Sequence, residues 1–301
     1  MQPQLIIQIL TICALGGLLF AVGLRLRMDE IIGAVRQCRL AVILILNFAV
    51  VPALAVVLAR MMGLDRAATI AIILLAASPF APVVPVFTRM ARADLALAAG
   101  LTSFVTILSA FITPWACVIA LKSLSGTGDV RLNVLTTLVT LVATIVLPMA
   151  LGVWLRHVSA PLSVRLLRPV EVLAEGTGAL SLAFVTVTEF QSILSTDWRV
   201  LVTMAVLSEL CLLMGYLAGK GTRASRRVVA LGTSNRNIAL ALLLAISNFA
   251  NSPVVPGVVA NGLLLIALGL VHVGIWRFLA PAPASQPTPS PPANEVADRV
   301  G

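Results

Sequence analysis

Residues 228–245 read VVALGTSNRNIALALLLA. Apolar sequence stands on both sides, yet Gly232, Thr233, Ser234, Asn235, Arg236 and Asn237 are consecutively polar or helix-weakening. An arginine at mid-bilayer costs at least about 2.5–3.5 kcal/mol on insertion scales. If the stretch crosses a membrane, Arg236 faces a cavity or a partner, and the helix is interrupted at these six residues. The competing reading ends the span near residue 236 and lets the guanidinium snorkel to an interface. The apolar run continuing to Ala245 weighs against it.

A second stretch breaks the same rule. Residues 74–92 read LLAASPFAPVVPVFTRMAR, with Pro79, Pro82 and Pro85 at three-residue intervals in an otherwise apolar segment. Each proline removes an amide donor and clashes with the preceding turn. Three in succession predict an unwound segment, which lipid tolerates only where the backbone packs in protein or lines a wet cavity. The bland alternative is a kinked packing helix.

What surrounds these stretches is membrane sequence. The 301 residues are 59% hydrophobic and only 11% charged, against roughly 25% charged in soluble chains. A soluble fold would leave large apolar faces exposed to water. Runs long enough for a helix of about 20 residues predict an all-α polytopic membrane protein of nine spans, near 5–24, 40–59, 67–88, 95–119, 133–155, 171–191, 198–219, 228–247 and 255–276. The first has no basic leader or clear cleavage site and is kept as a membrane helix. Residues 281–301, PAPASQPTPSPPANEVADRVG, hold almost no large apolar residue and read as a disordered cytoplasmic tail.

Loop charge sets the orientation. With the N-terminus outside, Arg25, Arg27, Arg36, Arg39, Arg89, Arg92, Arg156, Arg165, Arg168, Lys220, Arg223, Arg226, Arg227, Arg277 and Arg299 lie inside, fifteen in all. Five lie outside: Arg60, Arg66, Lys122, Arg131 and Arg199. The expectation is an inner-membrane protein with its C-terminus in the cytoplasm. The net charge of +9 then reflects membrane loops, and no nucleic-acid partner is expected. Cys13, Cys38, Cys117 and Cys211 form no CxxC, and His157 and His272 are the only histidines. No metal site or cofactor follows from such a set. Catalysis would need positioned acid–base partners, and none is evident beside the 232–237 stretch.

The two breaks fall in the third of the first four spans and the fourth of the last five. Interrupted spans at matching positions of two halves point to a transporter site built from inverted repeats. Here a resemblance becomes specific. GTSNRNIALALLLA resembles the E-V-G-M-Q-N-S-G-L-A-A-A-L-A motif of the bile acid:sodium symporter family. Residues 78–114, SPFAPVVPVFTRMARADLALAAGLTSFVTILSAFITP, are similar to that family's other broken helix and its Thr-rich successor. LNFAVVPALA at 46–55 and IVLPMALGVWLRH at 145–157 also resemble family segments, so the likeness runs from about residue 5 to 278.

The resemblance implies a panel domain, an inverted-repeat core with two broken helices crossing at mid-membrane, and loss of the first helix of a ten-helix plan. Carried over by motif, Asn47 stands at a family Gln, Thr102 at a sodium-ligand threonine and Asn237 at the crossover Asn. Gly232 stands where the family's sodium-binding Glu would be, Arg236 at the Gln of a second sodium site, and Ala98 at a ligand serine. Val84 and Pro85 replace a Ser-Asn pair. A fixed cation has thus entered a site that has lost its carboxylate.

The expected function is secondary active transport of a small organic anion, with Asn47, Thr102, Thr233, Ser234, Asn235, Arg236 and Asn237 around the binding site. The coupling ion is Na+ or H+, with transport expected to be sodium-independent. Glu209, the one ionisable residue inside the seventh span, is expected to pair with Arg236 as its counter-ion. The alternative is a membrane sensor that keeps the transporter fold without transporting. Substrate identity and oligomeric state stay open.

Overall fold

The computed structural model describes residues 3–26, 32–33, 36, 38–123 and 133–279, and among these every regular element is helical. The 281–301 tail lies outside the described residues. The elements are α1 (Pro3–Arg25), α2 (Leu40–Met61), α3 (Arg66–Ala76), α4 (Val84–Met90), α5 (Leu95–Lys122) and α6 (Val134–Val158). They continue with α7 (Ala160–Thr188), α8 (Phe190–Leu194), α9 (Trp198–Ala218), α10 (Arg223–Ser234), α11 (Ile238–Asn248) and α12 (Val254–Leu279).

Among the described residues, eight helices are long and apolar enough to cross a membrane, with α10 and α11 taken as one span. The segment expected as a ninth, 67–88, is divided into α3 and α4, which length alone does not count. The expected loop between the fifth and sixth spans is instead helical. The α6 helix runs to Val158 and α7 starts at Ala160, eleven residues before the expected 171, carrying Pro169 inside it.

Two prolines shape the long helices without ending them. Pro52 cannot donate to the preceding turn, and the chain widens just upstream: Leu46–Val50 forms a π turn, with the Val51 amide bonded five residues back to Leu46. Pro148 does the same for Val142–Val146, where the Leu147 amide reaches Val142. The first π turn carries Asn47, which is fully buried.

Small residues set the closest packing. A Cβ on Gly23 of α1 would lie 2.2 Å from the Met149 carbonyl of α6, and one on Gly152 would lie 2.4 Å from the Phe20 carbonyl. Gly17 lies against Ala174 of α7 in the same way. Helices that share lipid on their outer faces associate by such backbone approach, and α1, α6 and α7 form the panel. The remaining helices form the core, where α9 packs on α10 and α12 on α3. The cleft that joins Arg25, Arg89, Leu95 and Arg168 gathers the end of α1, the end of α4, the start of α5 and the start of α7 at one basic end. The starts of α3, α9 and α12 meet at the opposite end, near Asp65, Asp197 and Pro253.

Candidate functional site

The α3 helix stops before Ser78-Pro79, because a residue preceding proline is driven out of the helical region. Phe80 then takes φ +53°, a left-handed conformation that costs a non-glycine residue energy. On the other strand of the crossing, α10 ends at Ser234 and α11 begins at Ile238, so only residues 235–237 are unwound. Gly232, Thr233 and Ser234, expected in the break, remain in the last turn of α10.

The two breaks bond to each other. The Ala81 amide donates to the Asn235 carbonyl at 3.1 Å, and the Asn237 amide donates to the Ser78 carbonyl at 2.8 Å. Side chains take up the exposed helix ends. Thr113 of α5 donates to the Ala77 carbonyl at 2.8 Å, Asn235 Nδ2 to the Leu231 carbonyl at 2.9 Å, and Asn237 Oδ1 accepts from the Leu240 amide. Unwound backbone inside a membrane needs such internal partners. The expected pair of broken helices therefore does cross, through two reciprocal main-chain bonds.

Arg236 lies in this crossing at 2% exposure, sealed within protein. Its Nη1 donates to Asn47 Oδ1 at 3.2 Å and its Nη2 to Cys211 Sγ at 3.4 Å. Asn47 Nδ2 in turn donates to Thr233 Oγ1 at 3.2 Å. Asn47, Thr233 and Arg236 are thus brought together as expected, by the π turn of α2 and the end of α10. The expected partnership of Glu209 with Arg236 is corrected. Both Glu209 carboxylate oxygens face His272 Nε2 of α12, at 2.9 and 3.1 Å. Cys211, two residues along α9, is the side chain that meets Arg236. At 100° per residue those two positions look in opposed directions.

Gly232 has a steric role. A Cβ there would sit 2.1 Å from Phe80 Cε1, and Phe80 is fully buried. The phenyl ring fills the space beside residue 232.

Thr102 stands apart from Arg236. It lines a cleft of about 200 Å³ between panel and core at the basic end, together with Pro82, Pro85 and Ser103. Thr102 is 3% exposed and its hydroxyl has no partner, as is also true of Thr106 one turn on. Arg25, Arg89 and Arg168 stand at the cleft, with Arg25 paired to Glu171. A larger cavity of about 610 Å³ opens at the opposite end between Asp65, Glu189 and Asp197. Its acidic rim disfavours anions, and no proline of the first break lines it.

The model of the sodium bile acid symporter family matches residues 12–196, more than half the chain and including the first break. The chain belongs to the sodium bile acid symporter family. A relative agrees: the probable sodium/metabolite cotransporter BASS1, chloroplastic, of Arabidopsis thaliana is 25% identical over 276 residues. That match covers 90% of this chain and 67% of the relative. The protein is therefore a multi-pass membrane transporter of symporter type, in a family of transporters rather than enzymes.

Phe80, Thr113, Cys211 and His272 carry no site role that the sequence of this family member shows by itself. Thr113 and Phe80 flank readable signals, a Thr-Pro pair and the proline triplet. Cys211 and His272 gain meaning only from the helices they face.

Proposed function

We propose that this transporter carries a small organic anion by alternating access, its core of crossed helices moving against the panel. The observation that carries this reading is the crossing itself, bonded at Ala81–Asn235 and Ser78–Asn237, with one break opening through Pro82 and Pro85 onto a cleft between core and panel. The cleft has a net positive lining that suits an anion: Arg25, Arg89 and Arg168 outnumber Glu171, which pairs with Arg25, and Glu175, and the unpartnered Thr102 hydroxyl also lines it. The excess of Lys and Arg at the basic end supports a cytoplasmic placement of that end, hence an N-terminus outside and a C-terminus inside, and the proposed setting is a bacterial inner membrane.

Transport proceeds without sodium. The relative's name describes sodium coupling, but the position of the expected carboxylate ligand is Gly232, covered by the Phe80 ring. The amide oxygen of Asn47 is taken by the Arg236 guanidinium. A fixed positive charge in a poorly screened interior repels a second cation. Uptake of labelled carboxylates and sulfonates into proteoliposomes should be unchanged when sodium is replaced by choline at constant pH gradient. A collapse of uptake in choline refutes this coupling.

The missing carboxylate at Gly232, whose place the Phe80 ring fills, also favours a second reading, a sensor that binds its anion and does not transport. It predicts binding to purified protein with no exchange across the bilayer.

A further inference from the structure

Glu209 sits at the middle of α9, in a span whose exposed face is otherwise apolar. Val202, Val206, Leu213 and Leu217 are 40%, 41%, 55% and 64% exposed, and they follow one another at three- and four-residue intervals through residue 209. That spacing is one helix face. On the neighbouring α12, Val271 and Ile275 are exposed at 55% and 48%. The face is lipid-facing, and Glu209, half exposed at 51% of its side chain, lies within it. Its bonded neighbour is the buried His272, whose Nε2 lies within 3.1 Å of both carboxylate oxygens and whose Nδ1 has no partner.

We propose that Glu209 and His272 form a membrane-embedded proton-binding site, and that the proton held there is the coupling ion of transport. The second half of this statement rests on the transport reading above; the first does not. Carboxylate and imidazole sharing one proton are neutral overall, whichever of them carries it. Without that proton the pair holds a net negative charge against hydrocarbon, where ionised groups are strongly disfavoured. In this proposal the pair holds one proton while it faces hydrocarbon and gives it up where the surroundings offer water or a compensating charge.

Among the described residues no other charged side chain bonds to Glu209 or His272: Arg199 of α9, Arg223 of α10 and Arg277 of α12 stand in the end turns of their helices, and Arg236 is held by Asn47 and Cys211. Arg227 of α10 lies over the Trp276 ring of α12 at 5.5 Å, and Arg226 over the Tyr216 ring of α9 at 5.9 Å. Arg60 of α2, Arg66 of α3 and Arg89 of α4 stand at or near helix ends. Arg165 stands in the first turns of α7, while Arg168, Glu171 and Glu175 of that helix line the basic-end cleft, whose walls include neither Glu209 nor His272. Mechanical linkage to the crossing runs through α9. The same helix that carries Glu209 outward carries Cys211 inward to Arg236. It also packs backbone-close on α10, where a Cβ on Gly215 would lie 2.8 Å from Ala230.

Two measurements on the full chain in proteoliposomes test the proposal. The first uses the lipid-soluble reagent dicyclohexylcarbodiimide and needs no substrate. A protonated carboxyl adds across a C=N bond, its proton going to nitrogen and its oxygen to carbon, and an acyl shift leaves a stable N-acylurea with nothing released. Peptide mass spectrometry should find this adduct at Glu209, forming faster as pH is lowered, with no adduct at position 209 in Glu209→Gln. An unmodified Glu209, or a rate independent of pH, overturns the proton site.

The second follows labelled lactate, succinate and ethanesulfonate. Wild-type counterflow at equal pH reports transport itself, and its absence for all three overturns the transport reading while the carbodiimide result stands. Where counterflow occurs, an inside-alkaline gradient should drive accumulation above equilibrium in wild type and in Glu209→Asp. In Glu209→Gln and His272→Gln, each shown to be folded by an unchanged elution profile and melting curve, substrate should only equilibrate. Gradient-driven accumulation that persists in Glu209→Gln, or that wild type lacks, overturns the coupling role.

Discussion

Gly232 and Phe80 show how one residue's identity is set by another far along the chain. The ring of Phe80 occupies the space that any Cβ at residue 232 would need. Gly232→Ala should therefore destabilise the protein by roughly 1–3 kcal/mol, the usual range for overpacking. Phe80→Ala alone should open a cavity, and the double variant should melt higher than the sum of the two single losses predicts. Thermal unfolding in detergent measures the cycle, and strictly additive losses would mean that the two side chains do not compete for one space.

At the scale of the helix, glycines decide which surfaces can meet. The panel depends on α1 and α6 approaching through Gly23 and Gly152, with carbonyl oxygens of each within reach of the other's missing side chain. Gly152→Leu should separate the two helices and lower the melting temperature, whereas leucine at Gly176 of α7, around which no atom lies within 4 Å of a Cβ, should leave it nearly unchanged. Similar melting temperatures for the two variants would refute the packing assigned to the panel. The π turns work at this scale too. Pro52 widens α2 one turn before itself, and that widening carries Asn47 into the core where it holds Arg236 and Thr233.

For the whole molecule, transport by a core moving against a panel requires the basic-end cleft to change width. Ala21 of α1 and Ser103 of α5 stand on opposite walls of that cleft. Cysteines introduced at both positions, in a chain whose four native cysteines are replaced, can be bridged by a reducible bifunctional maleimide. Complete cross-linking should stop uptake, and reduction should restore it. Uptake undiminished by a complete cross-link would show that the two bodies do not move apart during transport.

Fold class and the places of the two breaks were legible in the chain, because membrane insertion and helix interruption are local matters. A run of apolar residues, a proline triplet or a buried arginine carries its cost wherever it stands. The joining of Asn47 and Arg236 was partly legible through motif resemblance alone. Partner choice within the membrane was not legible. Glu209 and Cys211 are two residues apart, and which of them meets Arg236 depends on the rotation of α9 against α10 and α12, a property of packed glycines and neighbours rather than of the span's composition. Only the tertiary structure turned Glu209 toward His272, closed Arg236 away from the cleft and set Thr102 beside it, because each outcome is a contact between helices that the chain brings together from far-separated positions.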